Sequence, residues 1–294
     1  MELSFVTLDV FTDKRFSGNQ LAVVQVPKER RDDMTQERKQ AVAQEFNLSE
    51  TVIMHETEDG DKSWDIGIFM VDTELPFAGH PTVGSAWYLS KELKKVDAGT
   101  LNTKAGQIPF KVDGSSVLAN IPFAYHQHTQ GVSPEFIKNA GLNVNVNKEC
   151  PIVSIVNGLA FALIELDSLE ALSQVNATGH EVPVELMDSE WRSRAGFYFF
   201  VRTGKADNGA ITVRSRMCLG NLEDPCTGSA ASALSGYLTL HSQLPSQKYQ
   251  ITQGVEMKRP GTIETEVTTQ DSQIQKIQLG GKCVPVMSGK ITVD

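Results

Sequence analysis

Four side chains in this 294-residue sequence are of types that move protons or hold small acids: Glu50, His80, Asp224 and Ser229. Histidine is the side chain whose ordinary pKa lies nearest neutrality, so His80 suits acid/base work and hydrogen-bond donation. Glu50 heads an apolar run, "ETVIM". A carboxyl entering a buried edge should have its pKa raised, as proton transfer near pH 7 requires. Taken alone, Glu50 reads equally as an ordinary surface acid or a capping residue. Asp224 could hold a proton or position a substrate amine.

Three of these residues belong to a motif written twice. "ELPFAGH" starts at Glu74 and "EDPCTGS" at Glu223, 149 residues later, and both copies run on to Tyr-Leu, at Tyr88 and Tyr237. Gly79 matches Gly228, and His80 stands where Ser229 stands. In each copy a strand or turn runs into a helix. The first N–H groups of a helix lack intrahelical partners and carry the positive end of its dipole, so they attract an anion. Two such ends facing one cleft would grip a carboxylate from both sides, and Gly79 and Gly228 permit close approach. The structural alternative is a helix cap at Ser229 and a plain turn at Gly79; the duplication favours the functional one.

Stepping outward from the motif, the chain reads as many short strands and few helices. "LSFVTLDVF" and "NQLAVVQV" alternate like strands, and "TQERKQAVAQEF" is a helix capped by Thr35. "PTVGSAWYLSKEL" is a helix with Pro81 at its first position. The second half repeats this order: two strands around Asn157-Gly158, a short helix capped by Asp167 or Ser168, two strands, and "GSAASALSGYLTLH" as a helix capped by Ser229. The aromatic run around Tyr198 reads as a core strand. The helices after the two motifs are poor in charge and rich in Gly, Ala and Ser, so each should be buried inside a sheet wrapped around it.

Composition limits the classes open to the chain. Hydrophobic content of 40% and charged content of 21% are those of a globular protein. A net charge of −9 with no Lys/Arg block argues against a nucleic-acid partner. No apolar run approaches membrane-spanning length. The four cysteines, Cys150, Cys218, Cys226 and Cys283, show no metal-ligand spacing and read as free thiols in a cytoplasmic protein. His126 and His128, with no acidic ligand nearby in sequence, read as a solvated turn rather than a metal site. Neither nucleotide-binding glycine pattern occurs.

"GNQLAVV", "NLSET", "ELPFAGHPTVGSA", "EDPCTGSA" and "QGVEMKRP" together resemble the PhzF-like phenazine-biosynthesis isomerase family across essentially the whole chain. The resemblance implies an α+β, diaminopimelate epimerase-like fold: two pseudo-symmetric domains, each a barrel-like, mostly antiparallel sheet around a central helix. The halves would be residues 1–124, joined by the last strand at about 282–294, and residues 125–281. It implies proton transfer between carbons of a small carboxylic acid, without cofactor or metal, in a homodimer. Glu50 falls on the catalytic glutamate, with His80, Asp224 and Ser229 assisting; Asn19, Gly79, Thr227 and Gly228 fall on substrate-binding positions.

Three departures bear on the pocket: Gln20 replaces a usual proline, Gly67 a usual arginine and Cys218 a usual phenylalanine. The related epimerases and racemases use a cysteine from each half. Those positions look like Ala78 and Thr227, and Cys226 lies one residue early. Cys226 therefore reads as a small buried side chain, with a reactive thiol as the alternative. Three functions stay open: an isomerase, an amino-acid epimerase or racemase using Cys226, and a non-catalytic binding member of the fold.

Overall fold

A computed structural model describes residues 1–58, 60–176 and 179–294. The chain divides into two compact units, Met1–Pro122 with Leu279–Asp294, and Phe123–Gln278.

In the first unit, alternating side chains make β1 (Glu2–Val10) and β2 (Asn19–Val26) an antiparallel pair. Gly18, at φ +60°, turns the chain between them; a Cβ there would meet the Val10 carbonyl at 2.1 Å. α1 (Gln36–Phe46) is capped by Thr35, whose Oγ1 accepts from the Arg38 N–H. It carries the chain across to β3 (Thr51–His55), which lies parallel to β2. Parallel neighbours need such a crossover. Val42 and Ala43 of α1 pack with Leu3, Val24, Ile53 and Phe69. Then follow β4 (Ser63–Phe69), β5 (Glu74–Leu75), α2 (Gly79–Tyr88), β6 (Ala98–Thr103), β7 (Gly106–Asp113) and β8 (Ser116–Asn120).

The second unit runs β9 (His126–Val132), α3 (Pro134–Asn139), β10 (Cys150–Val156), β11 (Leu159–Glu165), α4 (Leu169–Ser173), β12 (Arg194–Lys205), β13 (Ile211–Leu219), β14 (Leu222–Asp224), α5 (Gly228–Ser242), β15 (Ser246–Gln253), β16 (Gly261–Gln270) and β17 (Gln273–Gly281). The last strand, β18 (Cys283–Thr292), returns to pair antiparallel with β1.

From β1 in the first unit and β10 in the second, the two runs list strands and α-helices in the same order. β4 pairs antiparallel with β5 and parallel with β6; β13 pairs antiparallel with β14 and parallel with β15. β2 and β3 are parallel across α1, and β11 and β12 are parallel across α4. The other ladders described among these strands are antiparallel. α2 touches β1, β2, β3, β6, β8 and β18, with every residue from Gly79 to Trp87 buried. α5 packs on β10, β11, β15 and β16. Each apolar helix is thus enclosed by its own sheet, the arrangement that its composition demands.

Both central helices start earlier than their sequences suggest. α2 begins at Gly79, after Ala78, and Pro81 is its third residue rather than its first. Proline fits there because no N–H of the first turn is needed within the helix. α5 begins at Gly228 with Thr227 in the capping position, so Ser229 lies inside the first turn and is not the cap. The Ser168 cap of α4 accepts from Ala171 N–H.

Candidate active site

In the first unit, three chain segments bring the expected residues together. The parallel register sets Ala22 beside Thr51, so Glu50 at the mouth of β3 lies level with Leu21 at the start of β2. Asn19 and Gln20 precede it, Asn19 being buried. The N-terminus of α2 supplies Gly79 and His80, both buried.

His80 Nε2 lies 3.2 Å from the Gln20 carbonyl oxygen. A carbonyl can only accept, so this nitrogen carries the proton and donates. In the neutral ring that makes His80 Nδ1 the unprotonated nitrogen, 3.6 Å from Glu50 Oε2. The gap is slightly beyond a hydrogen bond. Only 18% of the Glu50 side chain is exposed. Burial pushes its pKa up, opposed in part by a hydrogen bond with Ser49. A neutral Glu50 can donate to Nδ1, and an ionised one can take a proton from a carbon acid.

In the second unit, the "EDPCTGS" turn is tied down from within. Thr227 Oγ1 donates to Asp224 Oδ2 at 2.5 Å, which explains why it does not cap α5. Asp224 and Ser229 are half-buried, and Thr227, Gly228 and Cys226 are buried. Helix geometry leaves the N–H of Gly228, like that of Gly79, without an intrahelical partner. Gln253, wholly buried at the end of β15, donates from Nε2 to the Asp224 carbonyl (2.8 Å) and to Thr227 Oγ1 (2.9 Å). Its Oε1 accepts from Thr227 N–H and from the Tyr198 hydroxyl, both at 3.3 Å. Sequence reasoning missed Gln253, although it heads the "QGVEMKRP" stretch, and favoured a core strand over a binding platform at Tyr198.

The shared motif glutamates serve the scaffold. Glu74 pairs with Lys104 at 2.5 Å and accepts from Gln36 at 2.7 Å. Glu223 accepts two parallel bonds from Arg216, at 2.8 and 2.9 Å, while the same guanidinium donates to the Leu172 and Val175 carbonyls at the end of α4.

Cys226 is fully buried, and desolvation, with the Asp224 charge beside it, pushes its thiol pKa well up. Burial likewise raises Cys150 to about 11 and Cys218 to about 12. Cys218 is buried in the core with Phe197 and Phe199. Gly67 faces the Phe69 ring, where a Cβ would come within 2.7 Å.

His126 and His128 also differ from expectation. They lie on β9, not in a turn, and Asp188 is their acidic neighbour, 2.7 Å from His126 Nε2. The cluster is internally satisfied. His126 stacks on Trp191, and His128 accepts the Asp188 backbone N–H at Nδ1 and donates from Nε2 to Ser154. With both His128 nitrogens engaged, a metal taken up by either one would break an existing hydrogen bond. A 390 Å³ cavity lined in part by Glu149, Glu165, Asp167 and Tyr237 contains none of the expected site residues.

In the first unit a shielded carboxyl thus lies against an imidazole at the N-terminus of a buried helix. The family model described as phenazine biosynthesis-like protein matches residues 8–289, and the chain belongs to that family, which places it among isomerases. It is 33% identical to an uncharacterized isomerase of Mesorhizobium japonicum, covering 99% of each chain. It is 31% identical to the trans-2,3-dihydro-3-hydroxyanthranilate isomerase of Pseudomonas aeruginosa, covering 97% of this chain and 98% of the other. Among solved structures, a PhzF-family protein of Bacillus anthracis superposes with a TM-score of 0.77 at 19% identity, over all of both chains. A hydroxyproline epimerase of Agrobacterium vitis shares the fold at a TM-score of 0.56 and 13% identity, over 99% of this chain and 92% of its own. Among the described residues, no helix is long and apolar enough to cross a membrane.

Proposed function

We propose that the protein is a cofactor-independent isomerase that moves a proton between two carbons of a small unsaturated carboxylic acid. The observation that carries this reading is Glu50, a shielded carboxyl with a raised pKa, 3.6 Å from His80 Nδ1. Ionised Glu50 takes a proton from one carbon, leaving an enolate-like anion. The N–H groups of Gly79 and Gly228 stabilise the charge that develops. Glu50, whose carboxyl proton exchanges with water, then delivers a proton to a second carbon, and no electron or group is gained or lost. His80 steadies the neutral Glu50 in between. Asp224 and Ser229 orient the substrate, and Asn19 and Thr227 complete its binding positions.

The name of the Pseudomonas aeruginosa relative supplies the first acid to try, trans-2,3-dihydro-3-hydroxyanthranilate. The raised thiol pKa disfavours Cys226 as a base, and with it the epimerase alternative. The same reading includes a cytoplasmic homodimer, on the strength of the family resemblance. A thermal-shift screen of small unsaturated and hydroxylated carboxylic acids tests it. At least one such acid should raise the melting temperature of the wild type, and conversion should be lost in Glu50→Gln. Conversion by Glu50→Gln at the wild-type rate would refute it.

A further inference from the structure

We propose that Gln253 is a positioning residue for this reaction: it fixes the Asp224 carboxylate and the first turn of α5. This rests on the reading above for its catalytic consequence, though not for its structural content.

The chemistry of its partners sets the orientation of Gln253. The Asp224 carbonyl can only accept and the Thr227 N–H can only donate, so Nε2 faces the first and Oε1 the second. The remaining bonds then take one direction. Ser215 Oγ, 2.9 Å from the Tyr198 hydroxyl, donates to it; Tyr198 donates to Gln253 Oε1; Gln253 Nε2 donates to Thr227 Oγ1; Thr227 donates to Asp224 Oδ2. The chain starts in the core of the sheet and ends on the carboxylate. Gln253, Tyr198 and Ser215 are all fully buried, so water does not substitute for a lost member.

The fold gives Gln253 this position. It is the last residue of β15, paired with Ser215 of β13, whose other neighbour β12 carries Tyr198. Gly254 follows at φ +80°, and a Cβ there would meet the Arg259 and Pro225 carbonyls at 2.5 and 2.6 Å. The turn after β15 is therefore pressed onto the motif before α5. The first unit uses the same place differently. Just beyond β6, Lys104 pairs with Glu74 and Ala105 N–H donates to the Pro76 carbonyl at 3.1 Å. There the grip is an exposed lysine on a scaffold acid; in the second unit it is a buried amide on the proposed substrate-orienting acid.

The test combines amide exchange at Thr227, read by NMR, with turnover of trans-2,3-dihydro-3-hydroxyanthranilate. Gln253→Met matches the length and removes every polar contact. Thr227 exchange should accelerate at least about tenfold, and kcat should fall at least about tenfold while KM changes less than about threefold. Gln253→Glu keeps an acceptor for Thr227 N–H but loses both donors. It should restore much of the exchange protection and leave kcat low. If Gln253→Met does not fold, Tyr198→Phe carries the test: kcat should drop about threefold or more at constant KM, and a wild-type kcat would overturn the proposal. An unchanged Thr227 exchange rate in folded Gln253→Met overturns it whichever acid is turned over. If the wild type ignores the probe acid, the substrate reading fails and the exchange result alone still decides the role of Gln253.

Discussion

Glu50 carries opposing demands on a single side chain. Burial raises its pKa, so between the ordinary carboxylate value and the folded value the native state binds more protons than the unfolded one. Stability contributed at this site therefore falls as pH rises through that window. Glu50→Gln, which cannot ionise, should melt about 2 °C or more above the wild type at pH 8, and the difference should vanish near pH 4. Melting curves across pH check this; equal curves at every pH would contradict a raised Glu50 pKa. Cys226→Ala should keep turnover within about threefold and cost about 1 kcal/mol in denaturant unfolding, because the thiol fills space and stays protonated. At this scale the sequence was informative where partners lie close along the chain, as with Glu50 heading "ETVIM". It was silent where they do not. Asp188 is sixty-odd residues from His126, and no spacing rule joins them. Gln253 lies 26 residues beyond Thr227 and meets it only through a parallel strand pair.

At the scale of elements, the turn-to-helix junctions decide how the site is held. Thr35 and Ser168 were legible as caps because a hydroxyl before a helix ordinarily accepts an N–H of its first turn. Ser229 was misleading for a physical reason. Thr227 takes the cap position, yet Asp224 competes for its hydroxyl, so a site contact replaces a cap contact. The short α3, capped by Ser133, was not recognised, since six residues carry little periodicity. Gly254→Ala should cost about 1–3 kcal/mol from its backbone conformation alone, and the Pro225 carbonyl must also move. Denaturant unfolding measures the first effect, and loss of turnover at a temperature where the variant is folded measures the second. A variant as stable and active as wild type would show that the β15 turn does not brace the motif.

At the scale of the molecule, duplication was the most legible feature. Two copies of one motif foretold two runs of elements with the same order and ladders. The parallel pairs were not legible, because strand direction depends on the crossover rather than on a strand's own residues. The return of β18 to β1 ties the chain's end to its first strand over Glu2–Val10. Removing residues 283–294 would strip one ladder from β1 and expose the apolar side of the sheet around α2. Such a chain should lose its near-ultraviolet circular dichroism and aggregate; a soluble, cooperatively melting product would contradict the role assigned to β18. The central claim is that Glu50 is the group that moves the proton. Its most direct test is deuterium uptake from D2O, by mass spectrometry, into the acid that most raises the melting temperature. Wild type should place deuterium on carbon, and Glu50→Gln should slow that uptake at least about a thousandfold; uptake at the wild-type rate without Glu50 would contradict the account.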